Sequence, residues 1–296
     1  MIFIITSCNS KTKRDIDNDP KSEIVENEHC QIIMSSKSSN YILILFGGYG
    51  QNSDDIKREF DILDISKKNK IDLVLMNYSR NLWLEENEKF KLARIIQNTL
   101  EDNKLNDREI YIGGFSSGGL NSIHISNYIL GNSKFKIDIK GLFIVDSPVD
   151  LLELHSSSKK NILRNYSDSA VKESNWLVQT LENKLGDPEK NISEYERFSV
   201  YTGKTNYIEN LKNLKATKIR FYTEPDLEWW KTERLAEYEE LNAYSIKKLY
   251  ESLKNIEFEN IVENLIVYKS LLLDRHEKCI ELNKEIINLL EIEINK

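Results

Sequence analysis

The alternation of two hydrophobic patterns constrains the fold of this chain more than any other feature. Short, nearly continuous apolar runs are separated by longer stretches in which apolar residues recur at helical spacing. A continuous apolar run is typical of a strand buried on both faces. The runs read CQIIMSS, NYILILFGG, IDLVLMNY, EIYIGG, IKGLFIVDSP, ATKIRFYTEPD and ENLIVYK. This order predicts an α/β fold, with a mostly parallel central sheet and helices on both faces.

The stretches between these runs predict amphipathic helices over residues 53–69, 84–105, 120–131, 233–253 and 277–294. We expect Ser53 and Asp54 to cap the first helix and Phe90 to lie on the apolar side of the second. Residues 151 to about 215 are polar and helical in pattern, without an obvious strand. They predict a helical cap insertion over the sheet, within one domain that spans residues 29–296.

Composition excludes several classes of protein. Of the 296 residues, 40% are hydrophobic and 30% charged, which is typical of a globular domain. The net charge is −7, and Lys and Arg are scattered rather than gathered in a basic stripe, so we expect no nucleic-acid partner. The sequence contains no H-E-x-x-H, H-x-x-E-H or paired C-x-x-C spacing. We therefore expect no metal site.

The first 28 residues differ from the rest of the chain. An apolar start is followed by small residues, by Cys8 and then by a strongly polar stretch. This order resembles the end of a bacterial lipoprotein signal, truncated at its front because the basic n-region is missing and the apolar segment is short. The resemblance implies a secreted protein of the bacterial cell envelope, periplasmic or at the surface, whose only membrane contact is a lipid on Cys8. If the segment is not a signal, the protein is cytoplasmic.

Residues 9–28 would then form a polar tether that buries too little surface to fold alone. Two further cysteines, Cys30 and Cys279, could form a bridge in an oxidising compartment. Sequence alone leaves this pairing open, because it does not give the separation of the two Cα atoms.

Four of the 11 glycines lie within seven positions, from Gly113 to Gly119, between a predicted strand and a predicted helix. The segment from Gly114 to Gly118 reads G-x-S-x-G, with Ser116 at its centre. A serine on so tight a turn adopts a strained backbone, and the turn closes only if the residues two positions away lack side chains. This strand, turn and helix resemble the nucleophile elbow of the α/β-hydrolase family, and the resemblance covers about residues 30 to 296.

The resemblance implies a catalytic triad in the chain order serine, acid, histidine. Ser116 would be the nucleophile, and His276, in the loop after the last predicted strand, would be the general base and acid. The acid is expected after the preceding strand, where Asp226 fits the family spacing better than Glu224. Asp146, after an earlier strand, is a more distant alternative.

The family also holds the oxyanion with backbone N–H groups. One would come from Ser117, which follows the nucleophile. Another would come from the FGGYGQ segment, which resembles an HGGG-type loop with phenylalanine in place of histidine; we favour the Tyr49 N–H, with Gly48 next. Trp229 and Trp230, just past the acid, are candidates for a substrate-binding wall, although such residues more often pack between lid and sheet.

These features predict a cofactor-independent serine hydrolase that cleaves a carboxylic ester of a small molecule or of a carbohydrate-linked acyl group. A serine peptidase or other amide hydrolase would use the same residues. A non-catalytic surface lipoprotein on a hydrolase scaffold is the alternative from another class, because a fold does not guarantee an activity.

Overall fold

The computed structural model describes residues 23–35, 39–223, 226–254 and 258. Within them, seven strands form one sheet, in the order β1-β2-β4-β3-β5-β6-β7. The strands are β1 Glu23–Glu26, β2 Cys30–Met34, β3 Tyr41–Phe46, β4 Ile71–Met76, β5 Glu109–Phe115, β6 Ile139–Val145 and β7 Lys218–Tyr222. Strands β4, β3, β5, β6 and β7 are parallel, whereas β1 and β2 form an antiparallel edge. The predicted α/β class, with a mostly parallel sheet, is confirmed.

Helices lie on both faces of the sheet. They are α1 Ser53–Phe60, α2 Leu63–Lys68, α3 Glu86–Asp102, α4 Ser117–Leu130, α5 Leu151–Arg164, α6 Asp168–Leu185, α7 Ile192–Phe198, α8 Leu227–Arg234 and α9 Asn242–Lys254, with short 3-10 helices at Glu209–Leu214 and Tyr238–Glu240. In β3, Ile42 and Ile44 pack in a core cluster with side chains of α3 and α4. Leu43 and Leu45 point to the other face, where they join side chains of α1. The continuous apolar runs are therefore explained by burial on both faces.

The cap insertion is helical, as predicted. In chain order, the segment between β6 and β7 contains helices α5, α6 and α7 and the first 3-10 helix. Leu181 of α6 and Phe198 of α7 belong to the same buried cluster as Ile123 of α4. Asp150 anchors the start of the cap, because its carboxylate accepts the N–H of Leu152 at 2.9 Å and of Gly203 at 2.7 Å. Burial raises the pKa of Asp150 to about 6.

Two predicted helices are each interrupted. The helix predicted over 53–69 is divided into α1 and α2 at Asp61, whose φ of 47° is left-handed. The helix predicted over 233–253 is divided between α8, the second 3-10 helix and α9, and Leu235 ends α8 with a φ of 52°. A left-handed residue ends the i to i−4 hydrogen-bond ladder, which apolar spacing alone does not reveal.

Two local expectations are wrong. Asn52, not Ser53 or Asp54, caps α1, and its side chain accepts the N–H groups of Asp54 and Asp55 at 3.0 Å each. Phe90, in α3, is 41% exposed, and its ring meets that of Phe135 edge-on.

The sheet begins inside the predicted tether. Strand β1 pairs with β2, with Ile24 opposite Ile33. Glu23–Glu26 therefore belong to the sheet, and the prediction that they are part of a polar tether over residues 9–28 is wrong. Cys30 is a buried free thiol whose Sγ lies 3.9 Å from the hydroxyl of Thr99. Cys8, Cys279, and the strand and helix predicted over 263–269 and 277–294 lie outside the described residues. None of the described helices combines the length and the apolar character needed to span a membrane.

Candidate active site

The turn that carries Ser116 joins the end of β5 directly to the start of α4. Ser116 has φ 53° and ψ −126°, and its N–H donates to the carbonyl of Val145 on the neighbouring strand β6 at 2.9 Å. An L-residue in this region costs about 1–3 kcal/mol, and such strain persists only where the surrounding structure imposes it. The structure therefore places Ser116 on a strained strand-to-helix turn at the carboxyl edge of the parallel strands.

Glycine is required at two positions of this turn by close backbone approach. A Cβ on Gly114 would lie 2.4 Å from the carbonyl carbon of Gly118. A Cβ on Gly118 would lie 2.3 Å from the carbonyl oxygen of Gly47, in the loop after β3. Because real Cβ atoms do not approach backbone so closely, these two glycines let the turn close and let α4 abut the end of β3.

Three buried polar side-chain atoms beside the turn have no hydrogen-bond partner among the described residues. They are the Oγ atoms of Ser116 and Ser117 and the Oδ1 atom of Asn121, and each of these residues is about 1% exposed. Most buried polar atoms in proteins are paired, so such a cluster marks unused hydrogen-bonding capacity. The start of α4 therefore offers polar atoms to a group that lies outside the described residues or that binds from solution.

The loop after β3 lies against Ser116. A Cβ on Gly48 would be 3.6 Å from the Cβ of Ser116. The Gly48 N–H donates to the side-chain oxygen of Gln51 at 2.6 Å, whereas the Tyr49 N–H has no partner within residues 39–223. The Ser117 N–H belongs to the first turn of α4, where N–H groups have no partner inside the helix. Of the two predicted loop donors, Tyr49 has the available N–H group.

Gln51 fixes this loop but was not identified from the sequence. Its side chain accepts from Gly48, and its own N–H donates to the Gly48 carbonyl at 3.0 Å. The loop is also tied to the next strand, because the Gly50 N–H donates to the carbonyl of Ser79 at 2.8 Å. An amide side chain three residues after Gly48 is the signal that could have indicated this turn.

The three acid candidates lie in different settings. Asp226 caps α8, and its carboxylate accepts the N–H of Trp229 at 3.0 Å, while Glu224 lies outside the described residues. Asp146, directly after β6, has a left-handed φ of 44° and accepts the hydroxyl of Thr223 at 3.2 Å. Thr223, which follows β7, was not singled out in the sequence. The order of preference among the acids therefore stays a prediction.

The described histidines are engaged away from Ser116, and His276 lies outside the described residues. His124, buried in α4, is bonded to the carbonyl of Phe198 at 2.9 Å. Burial and the nearby Lys89 lower the pKa of His124 to about 3. His155, in the cap, is bonded to Glu182 at 2.8 Å. His29 precedes β2, three strand spacings from β5, or about 14 Å.

The two predicted wall tryptophans lie on α8. Trp230 is buried with Ala236 and Leu241 in a small cluster of its own, and Trp229 is partly exposed, with its ring edge-on to Trp230. The guanidinium of Arg234 lies 5.1 Å above the Trp229 ring. Packing accounts for Trp230, and a substrate-binding role for either residue stays a prediction.

A cleft of about 350 Å³ opens between the cap and the core beside Tyr49. Helix α6 of the cap forms one wall, and the segment after β4 forms the other. The lining residues are Tyr49, Arg80, Asn81, Leu82, Trp83, Glu85, Glu88, Trp176, Thr180 and Lys184. The rings of Tyr49 and Trp176 are in contact, with centroids 4.7 Å apart. Through Tyr49, the cleft adjoins the loop that lies against Ser116.

In the part of the chain that the structure describes, no three His, Cys, Asp or Glu side chains converge on a metal position.

Comparison with known proteins identifies the fold. No family model and no curated protein matches the sequence. Among solved structures, MPT51 of Mycobacterium tuberculosis is similar, with a TM-score of 0.55 at 10% identity over 90% of this chain and 96% of that chain. The esterase PF2001 of Pyrococcus furiosus gives 0.51 at 14% identity over 91% and 90%. A putative esterase from Staphylococcus aureus gives 0.52 at 12% identity over 94% and 87%. The chain thus has the α/β-hydrolase fold.

Proposed function

We propose that the protein is a serine hydrolase that cleaves a carboxylic ester of a small molecule or of a carbohydrate-linked acyl group. One observation carries the proposal: Ser116 has a strained backbone at φ 53° and ψ −126°, and its buried Oγ has no partner among the described residues. Backbone strain of this kind clusters at active sites, where it holds a reacting group in position. The esterases among the structural neighbours make ester hydrolysis the first activity to test.

In the proposed reaction, the Oγ of Ser116 attacks the acyl carbon while His276 takes the hydroxyl proton. His276 then gives this proton to the departing alcohol, which leaves an acyl-enzyme on Ser116. Water, deprotonated by the same imidazole, releases the acid. Asp226, with Glu224 as the alternative, orients the imidazole ring and stabilises its charged form.

The choice of His276 as base is supported by the placement of the other histidines. His124 and His155 are buried and bonded to other groups, and His29 is about 14 Å away across the sheet. A ring whose pKa is lowered to about 3, as in His124, would also take up a proton poorly near neutral pH. A serine nucleophile needs a base, and His276 is the histidine that remains.

The oxyanion formed on attack would be held by the backbone N–H groups of Ser117 and Tyr49. Ser117 opens α4, so the partial positive charge at the helix N-terminus adds to its N–H. Tyr49 is favoured over Gly48 because the Gly48 N–H already donates to Gln51. Loss of one oxyanion donor typically lowers kcat by about 10² to 10³.

The experiment is covalent labelling with a fluorophosphonate probe, together with hydrolysis of p-nitrophenyl acetate and p-nitrophenyl butyrate. The Ser116→Ala variant should take no label, and it should hydrolyse the p-nitrophenyl esters about 10⁶-fold more slowly than the wild type. Ser122→Ala is the matched control, because Ser122 is a buried serine of the adjoining helix α4 whose hydroxyl bonds only to the Gly119 carbonyl. Labelling that persists in Ser116→Ala would contradict the proposal.

Two alternatives are outcomes of the same experiment. Labelling of Ser116 with cleavage of peptide p-nitroanilides, but not of the p-nitrophenyl esters, would identify an amide hydrolase. A wild-type protein that takes no label would favour a non-catalytic scaffold. The acid is tested by Asp226→Asn and Glu224→Gln, since the variant of the triad acid should lose about 10⁴ of kcat and the other should not.

The envelope location is a separate proposal. We propose that Cys8 carries a lipid that anchors the protein to a bacterial membrane, since this residue follows an apolar stretch and precedes a polar one. Metabolic labelling with a fatty acid in a bacterial host should mark the wild type and not Cys8→Ala. An unlabelled wild type would overturn the anchor without affecting the hydrolase proposal.

A further inference from the structure

The cleft beside Tyr49 combines aromatic rings with many polar side chains. Tyr49, Trp83 and Trp176 supply the rings. A volume of about 350 Å³ lies at the lower end of the range for small-molecule sites, so the cleft suits one or two rings rather than a long polymer. Because the cleft lies beside the proposed oxyanion loop, it could bind the part of a substrate that is not attacked by Ser116.

Four polar side chains of the cleft, those of Asn81, Glu85, Glu88 and Lys184, are held in place before any ligand binds. The carboxylate of Glu88 accepts from the Asn81 amide at 2.9 Å and from the Glu85 N–H at 2.8 Å. Glu85 in turn pairs with Lys184 of the cap at 2.9 Å and with Arg197. Because these groups are already oriented, a ligand that bonds to them would not bear the entropic cost of ordering them.

The floor of the cleft is connected to the start of α4. The Asn121 side chain donates to the backbone carbonyl of Asn81 at 3.0 Å, and its Oδ1 is buried without a partner. Ser117, whose Oγ is also unpartnered, lies one helical turn before Asn121 and so on the same face of α4. Unused hydrogen-bonding capacity therefore extends from Ser116 toward the cleft.

These features discriminate among substrate classes. A long acyl chain would displace water from the charged groups of Arg80, Glu85, Glu88 and Lys184 and would offer them no hydrogen bond in exchange, which costs free energy. An anionic group would meet the carboxylates of Glu85 and Glu88 as well as the cations of Arg80 and Lys184, so the cleft offers it no net charge attraction. A sugar ring has C–H faces that pack on aromatic rings and hydroxyl groups that donate to carboxylates and accept from amides.

We propose that this cleft binds the sugar alcohol portion of an acylated saccharide, with Trp176 as its main stacking residue. The inference rests on the proposed function, since it assigns the leaving alcohol of the ester cleaved at Ser116. Attack by Ser116 breaks the bond between the acyl carbon and the sugar oxygen. The acyl group passes to Ser116, and the sugar leaves as the free alcohol after that oxygen takes the proton from His276.

The test compares two esters with the same acyl group: methyl 6-O-acetyl-β-D-glucopyranoside and ethyl acetate. The ratio of their kcat/KM values reports binding of the alcohol, because the acyl-enzyme is common to both. We expect the wild type to favour the sugar ester at least about tenfold, and Trp176→Ala to lower that ratio about tenfold, mainly through KM of the sugar ester. Trp176→Phe, which keeps a ring, should recover part of the ratio.

The controls separate recognition from structure. Trp176 also contacts Tyr49, so a purely structural effect of Trp176→Ala would act through the Tyr49 N–H and lower the rates on both esters alike, leaving the ratio unchanged. That result would overturn the sugar assignment, as would equal kcat/KM values for the two esters in the wild type. Leu163→Ala, an 85% exposed cap residue away from the cleft, should keep the wild-type ratio.

Binding to an inactive variant distinguishes failure of this inference from failure of the proposed function. Calorimetric titration of Ser116→Ala with the same sugar ester requires no catalysis. Binding that is lost in the Ser116→Ala/Trp176→Ala variant, with a wild type that cleaves neither ester, would support the sugar site and refute the proposed ester hydrolysis. Hydrolysis of ethyl acetate without binding of the sugar ester would support the proposed ester hydrolysis and refute the sugar site.

Discussion

Replacing Gly118 with alanine tests the geometry of the elbow without altering any side chain of the proposed triad. The new Cβ would lie 2.3 Å from the Gly47 carbonyl oxygen and 2.6 Å from that of Phe46, whereas ordinary contact begins at 3.4 Å. Both obstacles are backbone atoms, so α4 would have to move about 1 Å from the end of β3. Overpacking of this kind costs about 1–3 kcal/mol, and the better helix propensity of alanine returns at most about 1 kcal/mol.

We therefore expect Gly118→Ala to lower the free energy of unfolding by about 1–2 kcal/mol, measured by urea denaturation. A shift of about 1 Å at the nucleophile should also lower kcat/KM on p-nitrophenyl acetate about 10²-fold. Gly203→Ala is the matched control: its new Cβ would be 3.4 Å from the nearest atom and its φ lies outside the left-handed region, so its stability should change by less than about 0.5 kcal/mol. If the two variants are equally stable and active, the close approach of α4 to Gly47 is wrong.

The remaining predictions address strain, the oxyanion loop and a buried histidine. Ser116→Gly should abolish esterase activity yet raise the free energy of unfolding by about 1 kcal/mol, because glycine adopts a φ of 53° without strain. A variant that is less stable than the wild type in urea titration would argue against stored strain. Gln51→Ala removes the acceptor of the Gly48 N–H and should lower kcat about tenfold with little change in KM. Gln51→Glu keeps an acceptor and should retain the wild-type kcat. Equal rates for the two variants would exclude a role of Gln51 in positioning the loop. Burial lowers the pKa of His124 from 6.5 to about 3, so on acidification the ring takes up a proton in the unfolded state before it does so in the folded state. The free energy of unfolding should therefore fall by up to about 1.4 kcal/mol for each unit that the pH is lowered, between about pH 6 and pH 4. His124→Gln retains a donor for the Phe198 carbonyl and should flatten that decline in urea titrations; an unchanged slope would show that other groups cause it.

The central sheet could be predicted from the sequence because its buried strands are continuous or nearly continuous apolar runs. In β3 and β4 every residue except the first of β3 is buried, and this leaves little room for another interpretation. The elbow could be located for a different reason. Glycine is scarce in this chain, and Gly114 and Gly118 lie where the backbone approaches itself too closely for any Cβ.

Other features depend on contacts that sequence spacing does not encode. The left-handed conformations of Asp61 and Leu235 interrupt helices whose apolar periodicity continues through them. The role of Gln51 depends on a loop that brings its side chain back to Gly48. The cleft is invisible in the sequence because Tyr49 and Trp176 are far apart in the chain and meet only when the cap folds over the core.

The elbow and the cleft are built on different parts of the molecule. Strand β5, which ends directly before Ser116, is hydrogen-bonded on both sides, to β3 and to β6, while Trp176 belongs to a helix that lies outside the sheet. Under the proposed function, exchanging the surface of α6 would change which alcohol is accepted, while Ser116 and the seven-stranded framework stay intact.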